Sequence, residues 1–200
     1  MKTPQTLNED ECFLISDYLL LGYGDPKTKP KALRDHTMFL LMLYAGLRVG
    51  ELVKLIVSDL IIKNEPVTNL MISREIAKRH HERTIPLTQR IRSNITEMDK
   101  HIWRKPGRSP QPWVFSVDSK SSHISTRQVE RIIKRASMES IHRPIHPHVL
   151  RHTFASRLMR KTSMRVVQEL LGHTNLSSTQ VYTHPNGDDL KKAIEALPER

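Results

Sequence analysis

The sequence predicts a mainly α-helical fold with a small three-stranded antiparallel β-sheet, in a single domain over residues 1–200. Most of the chain repeats apolar residues with the period of a helix, whereas residues 59–87 contain three short segments rich in β-branched residues. No internal repeat, low-complexity segment or domain boundary interrupts this pattern. We therefore expect one helical domain that carries the sheet on its flank.

Local start and stop signals predict the first helices. Thr6 and Glu9 form a capping-box pattern before a helix at about residues 7–21. Residues 31–45 are predicted to form a buried helix that Gly46 can end, because the run "MFLLMLYA" within them is apolar nearly all round. A short helix is expected next, within "LRVGELVKL".

The predicted sheet and the later helices follow in order. The segments "DLIIKN", "VTNLMIS" and "ERTIPL" are the predicted strands, and residues 78–81 form the turn between the second and third. Ser125 is the predicted N-cap of a helix at 125–140, and Gly172 the predicted end of a helix at 163–171. Further helices are expected at 88–103, from residue 146 onward, through Tyr182 and at about 188–197.

Charge and cysteine content narrow the class of protein. The chain has 32 Lys and Arg against 21 Asp and Glu, a formal charge of +11, which favours a nucleic-acid partner over a merely basic soluble protein. No basic amphipathic helix with a bulky aromatic face supports a membrane surface instead. The only cysteine, Cys12, excludes an internal disulfide and fits a reducing, cytoplasmic compartment. The start "MKTPQTLNEDE" lacks the apolar core of a signal peptide, and no apolar run is long enough for a membrane span.

The stretch "HPHVLRHTFAS" (146–156) crowds cationic and titratable side chains at a predicted helix start, which suits a metal site, a phosphate site or a solvated surface. His148 and His152 are four residues apart and share a helix face. The intervening "VLR" supplies no glutamate, however, and Arg151 would repel a dication, so a metal site is disfavoured and no metal is expected.

A phosphate site would draw on cations at several junctions between predicted elements, where distant segments can converge. The candidates are Arg48, Lys78, His148, Arg151 and His173, with Tyr182 as a candidate nucleophile. Simpler roles stay open for each: Arg48 pairing only with Glu51, Lys78 facing solvent, Tyr182 covering an apolar edge. For His152 we favour a buried, hydrogen-bonded histidine.

Four motifs, in this order, resemble those of the tyrosine recombinases, the family of phage integrases, chromosome-dimer resolvases and fimbrial-switch invertases. "AGLRVGEL" (45–52) resembles the box of the first catalytic arginine, and "AKRHHERTIPL" (77–87) the β-hairpin box with the catalytic lysine. "HPHVLRHTFAS" resembles the His-x-x-Arg box, and "VVQELLGHTNLSSTQVYTH" (166–184) the box of the tyrosine nucleophile. The resemblance implies the DNA breaking–rejoining catalytic-domain fold and these catalytic residues: Arg48, Lys78, His148, Arg151, His173 and Tyr182.

The resemblance also implies the chemistry. Tyr182 would attack a DNA phosphorus and form a 3′-phosphotyrosyl link, with Lys78 protonating the leaving 5′-oxygen. Arg48, Arg151 and His173 would bind the phosphate. His148 would either help to take the tyrosine proton or hold the phosphate, and Glu51 would orient its neighbours. No cofactor is implied.

For partners, the resemblance implies double-stranded DNA recombination sites, a homotetramer on DNA formed from monomers in solution, and accessory DNA-bending proteins. It implies a cytoplasmic, nucleoid-associated protein of a prokaryote, phage or mobile element. The N-terminal DNA-clamping domain of most members is expected to be absent. The apolar stripe Leu190, Ile194 and Leu197 would dock on a neighbouring protomer or pack on its own domain. Candidate DNA contacts are Arg79, Arg127, Arg131, Lys134 and Arg135.

The outcome of recombination — integration, excision, inversion or resolution — stays open at this stage. Two other functions would use the same fold. One is a non-catalytic DNA-binding regulator. The other is a nicking–closing enzyme like the type IB topoisomerases, which would relax supercoils without needing two paired sites.

Overall fold

The computed structural model describes residues 5–21, 29–77, 82–104, 112–116 and 122–172. Helices dominate these residues, as predicted. The helices are α1 (Glu9–Leu21), α2 (Lys29–Tyr44), α3 (Val49–Leu52), α4 (Val57–Leu60), α5 (Gln89–Met98), α6 (Thr126–Ile141), α7 (Pro147–Met159) and α8 (Met164–Leu171). The strands are β1 (Ile61–Ile62), β2 (Glu65–Pro66), β3 (Asn69–Ile72) and β4 (Arg83–Pro86).

Helix α2 forms the centre of the fold. Its residues 38–43 are almost completely buried, and α1, α5 and α7 pack around it. This confirms the buried helix that the apolar run predicted, although α2 begins at Lys29, two residues before the predicted start at residue 31. Gly46 follows α2 with a φ of +63°, a left-handed conformation that glycine adopts at no steric cost. The chain turns there, and this turn leads directly into α3.

The capping box of α1 lies two residues later than predicted. The side chain of Asn8 accepts a hydrogen bond from the Glu11 backbone N–H at 2.8 Å, and the Glu11 carboxylate accepts one from the Asn8 backbone N–H at 3.0 Å. The prediction of Thr6 and Glu9 was therefore wrong in register. Both pairs have the same spacing, but Asn8 directly precedes the first helical residue and is the one able to satisfy the unpaired amides there.

The prediction of one three-stranded sheet is corrected to two separate two-stranded antiparallel hairpins among the described residues. Strand β1 pairs with β2, and β3 pairs with β4 in the register Leu70 to Ile85. The predicted first strand is shortened from both ends, because α4 takes its start, while Lys63 and Asn64 adopt positive φ values of 51° and 67°. Two consecutive residues with positive φ make a tight hairpin turn, after which β2 runs antiparallel beside β1.

The later helices agree closely with the prediction. Ser125 caps α6 by accepting a hydrogen bond from the Gln128 backbone N–H at 3.2 Å, and Gly172 ends α8 with a φ of +60°. Helix α5 continues as a π-helical turn over Asp99–Trp103. Helix α8 packs on α7 and β4, so the second hairpin and the last two described helices lie together.

Several predictions concern residues outside the described ranges. These are the turn at 78–81, the helix through Tyr182 and the helix at 188–197. Among the described residues, none of the helices combines the length and the apolar character needed to cross a membrane.

Candidate active site

The site is built around the carboxylate of Glu51, on the one-turn helix α3. Arg48, the N-cap residue of this helix, donates its backbone N–H to Glu51 Oε2 and its Nη1 to Oε1, both at 2.8 Å. The carboxylate thus replaces the backbone partner that the first amides of a helix lack. The same contact fixes the direction of the Arg48 side chain, of which 20% is exposed.

A second arginine, Arg83 on β4, completes the coordination of this carboxylate. Its Nη1 and Nη2 donate to Oε1 and Oε2 of Glu51 at 3.0 and 2.7 Å, and both side chains are only 1% exposed. Burial by itself raises the pKa of the Glu51 carboxyl, but the hydrogen bonds and charge of Arg83, the Arg48 amide and the charge of Arg151 together lower it to about 2. Glu51 is therefore ionised at neutral pH and holds Arg48 and Arg83 in place.

The third arginine, Arg151, lies five residues into α7 and joins distant parts of the chain. Its Nη1 donates to the carbonyl of Gly46, in the turn between α2 and α3, and its Nη2 donates to the carbonyl of Leu171 at 2.6 Å. Pro147 occupies the first turn of α7, where its missing N–H costs no hydrogen bond, so the cation-bearing segment can start a helix. The buried Arg151 is thus fixed between the α2–α3 turn and the end of α8.

The two histidines of α7 differ in exposure. His148 is exposed, whereas His152 is half-buried rather than fully buried as expected, and their ring centroids lie 6.5 Å apart. Burial lowers the pKa of His152, and the neighbouring His148 and Arg151 lower it further, which favours the neutral imidazole. Within the described residues there is no group of three or more His, Cys, Asp and Glu side chains suited to a metal ion.

An open cleft of about 370 Å³ connects the motifs of the site. Arg48 and His148 both line it, so residues 100 positions apart in the sequence share one surface. Ala77, the residue before Lys78, also lines the cleft. The contact of Arg48 with Glu51, which the sequence left open as its sole role, is present, but it holds Arg48 at the wall of this cleft.

Helix α6 borders the same cleft and carries a basic face. Thr126 and Glu130 of this helix line the cleft. Four cations are exposed at positions spaced by four, three and one residues, which places them on one side of the helix. They are the candidate DNA contacts Arg127, Arg131, Lys134 and Arg135.

Four predicted site residues, Lys78, Arg79, His173 and Tyr182, lie outside the described residues. Conversely, the sequence reasoning did not identify Arg83. A signal was present, because in the alternating segment "RTIP" Arg83 shares its face with the apolar Ile85, and both are buried in β4. An arginine on the apolar face of a strand requires a buried partner, and that partner is Glu51.

The sequence profile of the phage integrase family matches residues 18–188, and the chain belongs to this family. A tyrosine recombinase of Pseudothermotoga lettingae is 39% identical over 166 residues, which cover 82% of this chain and 54% of that protein. A tyrosine recombinase of Thermosipho africanus is 35% identical over 199 residues, which cover 98% of this chain and 62% of that protein. This chain thus spans less than two thirds of the length of either relative.

Solved structures agree with the fold. The crystal structure of XerA recombinase superposes with a TM-score of 0.74 at 23% identity, covering 100% of this chain and 68% of the other. The pre-cleavage complex of XerH site-specific recombinase with its difH substrate gives a TM-score of 0.75 at 21% identity, covering 98% of this chain and 55% of the other. The chain therefore has the fold of a tyrosine recombinase catalytic domain.

Proposed function

We propose that the protein is a site-specific DNA recombinase that cleaves and rejoins strands through a 3′-phosphotyrosyl intermediate. The observation that carries the proposal is the cluster of three arginines, Arg48, Arg83 and Arg151, around the single carboxylate of Glu51. These four side chains have three positive charges and one negative charge, a net charge of +2. Fixed positive charge beside an open cleft stabilises a phosphate whose negative charge grows in the transition state.

The proposed reaction exchanges one phosphodiester bond for another. The hydroxyl oxygen of Tyr182 attacks the phosphorus, the new phosphorus–tyrosyl oxygen bond forms, and the bond to the 5′-oxygen breaks. The tyrosine proton is lost to a base, and the 5′-oxygen leaves as a hydroxyl after Lys78 protonates it. Because the phosphotyrosyl link retains the bond energy, the 5′-hydroxyl of another strand reverses the step and rejoins the DNA without a cofactor.

The remaining proposed roles follow from residue chemistry and position. Arg48 at the cleft wall and Arg151, whose guanidinium contacts the turn preceding Arg48, bind the non-bridging oxygens, and His173 adds a hydrogen bond to them. The exposed His148 takes the tyrosine proton or holds the phosphate. Glu51 takes no part in proton transfer, because each of its oxygens already accepts two hydrogen bonds and its pKa is lowered to about 2.

Binding of duplex DNA is supported by the basic face of α6 and by the formal charge of +11. We propose that this face lies along the DNA backbone, with Arg79 adding charge from the second hairpin. The proposed assembly is a homotetramer on paired recombination sites, formed from monomers and assisted by DNA-bending proteins. The proposed setting is the nucleoid of the cytoplasm.

A covalent trap tests the proposal. The protein is mixed, in EDTA, with a library of nicked duplexes that lose their short 5′-hydroxyl fragment after cleavage, and adducts are separated on a denaturing gel. The expected result is an adduct with the wild-type protein and none with Tyr182→Phe, which lacks only the attacking hydroxyl. Sequencing the trapped DNA then yields the recognised site.

Three results would contradict the proposal in different ways. An adduct that survives in Tyr182→Phe would refute the nucleophile. Salt-sensitive DNA binding without any adduct would favour a non-catalytic regulator. Relaxation of supercoiled DNA that requires no paired sites would favour a nicking–closing enzyme.

A further inference from the structure

Arg83 connects two parts of the candidate site that are far apart in the sequence. We propose, building on the function proposed above, that Arg83 is a positioning residue for strand cleavage. It fixes Glu51, which orients Arg48, and it also fixes the end of α8, from which the chain continues to His173 and Tyr182.

The first connection runs through Glu51. Arg83 donates one hydrogen bond to each oxygen of this carboxylate, in the planar two-point geometry that leaves little freedom of rotation. The carboxylate so fixed accepts both the backbone N–H and the Nη1 of Arg48. The direction of Arg48 toward the cleft therefore depends on Arg83, 35 positions away, although Arg83 itself does not line the cleft.

The second connection runs to the end of α8. The last carbonyls of a helix lack partners within the helix and attract cations. Arg83 Nε donates to the carbonyl of Leu170 at 3.0 Å, while Arg151 donates to that of Leu171 at 2.6 Å. The two arginines thus hold consecutive carbonyls at the point where the nucleophile box continues toward His173.

Gly172 provides independent support for this anchor. A Cβ atom built at Gly172 would lie 3.1 Å from Cδ of Arg83, closer than such atoms normally pack, and 3.4 Å from its Nη1, an ordinary contact. The backbone after α8 therefore lies directly against the Arg83 side chain. Glycine supplies both this space and the positive φ of +60° with which the helix ends.

Arg83 acts through these neighbours rather than on DNA, because it is only 1% exposed and each of its three side-chain nitrogens donates to the protein. The competing interpretation is a buried ion pair that contributes only to folding. The two interpretations differ in what a mild substitution changes: folding alone, or the rate of cleavage by molecules that are already folded.

The test compares Arg83→Lys with the wild type on the nicked duplex recovered from the covalent trap. Lysine keeps the buried positive charge but cannot bond both oxygens of Glu51 and Leu170 in one plane. Arg34→Lys is the matched control, because Arg34 also pairs with a buried carboxylate, that of Asp35. Arg34 lies near the start of α2, at the opposite end of this helix from Gly46. Single-turnover rate, final adduct yield and DNA dissociation constant are measured for each protein.

We expect Arg83→Lys to form the adduct about 100-fold more slowly at saturating DNA, the scale of a small misplacement of reacting groups, with the yield and the dissociation constant almost unchanged. Arg34→Lys should match the wild type in all three. A rate for Arg83→Lys within about threefold of wild type would overturn the proposal. So would a loss confined to final yield, which reports a smaller folded fraction.

Hydrogen exchange of the free proteins provides a second readout that needs no cleavage. Arg83→Lys should exchange faster in peptides covering residues 48–53 and 166–172, and normally in α6. Unchanged exchange in both peptides would refute the anchoring even if the wild type cleaved no duplex. A wild-type protein that forms no adduct would refute the proposed function alone, and the exchange result would still decide the role of Arg83.

Discussion

Replacing Glu51 by glutamine should remove a defined part of the pH dependence of folding stability. The folded pKa of Glu51, about 2, lies below its ordinary value of 4.5. The unfolded chain therefore binds a proton at a higher pH than the folded protein does. The stabilisation that this ionised carboxylate provides is fully present above about pH 5 and is lost as the pH falls toward 2.

The stabilisation free energy follows from the difference between the unfolded and folded pKa values of Glu51, and because Glu51 is buried, solvent screening reduces it little. This pKa difference corresponds to a total stabilisation of about 3 kcal/mol, of which about 2 kcal/mol is lost between about pH 5 and pH 3. Glutamine cannot ionise, and its amide N–H groups face the guanidinium donors of Arg83. At pH 7 the variant should therefore be less stable by about 3 kcal/mol.

The assay is urea unfolding of both proteins at several pH values between about 7 and 3. The gap in unfolding free energy should be widest at pH 7 and should narrow to about 1 kcal/mol near pH 3, where unfolding of the wild type is accompanied by almost complete protonation of the Glu51 carboxylate. Burial and the charge of Arg90 lower the pKa of His36 to about 4, against the opposing effect of a hydrogen bond with Asn94, so His36 also titrates in this range, but it does so in both proteins. A gap that stays constant across the series would refute the assigned ion pair.

Three further predictions concern the site and its supports. Arg151→Ala should slow adduct formation by roughly 100-fold or more, and a rate within about threefold of wild type would refute the phosphate role. Gly46→Ala should cost about 3 kcal/mol in urea unfolding, because its Cβ would overlap the Phe154 ring at a positive φ. Gly50→Ala, whose Cβ meets nothing within 4 Å, should cost nothing, and equal losses would refute the clash. Arg131→Gln should reduce the slope of log binding constant against log salt concentration by about the contribution of one phosphate contact. An unchanged slope would show that the basic face of α6 does not contact the DNA backbone.

The sequence by itself determined most of the helical architecture. Ser125 and Gly172 predicted helix ends that the structure confirms, and the apolar run before Gly46 predicted the buried centre. These features were readable because a cap or an apolar face depends on residues only a few positions apart. The same locality explains the error at Thr6, where two capping patterns compete within three residues and only one coincides with the first helical turn.

The motifs also predicted residues for the candidate site; the structure brings Arg48 and His148 to one cleft and places Arg151 beside the turn that precedes Arg48. Tertiary structure alone decided how these residues are held. Arg83 meets Glu51 from 32 positions away and Leu170 from 87 positions away, and no local pattern specifies which buried partner a strand arginine will find. Such a pairing forms only when the β3–β4 hairpin, α3 and α8 pack together. In the low-polarity interior that results, a charged side chain without a partner would cost too much free energy.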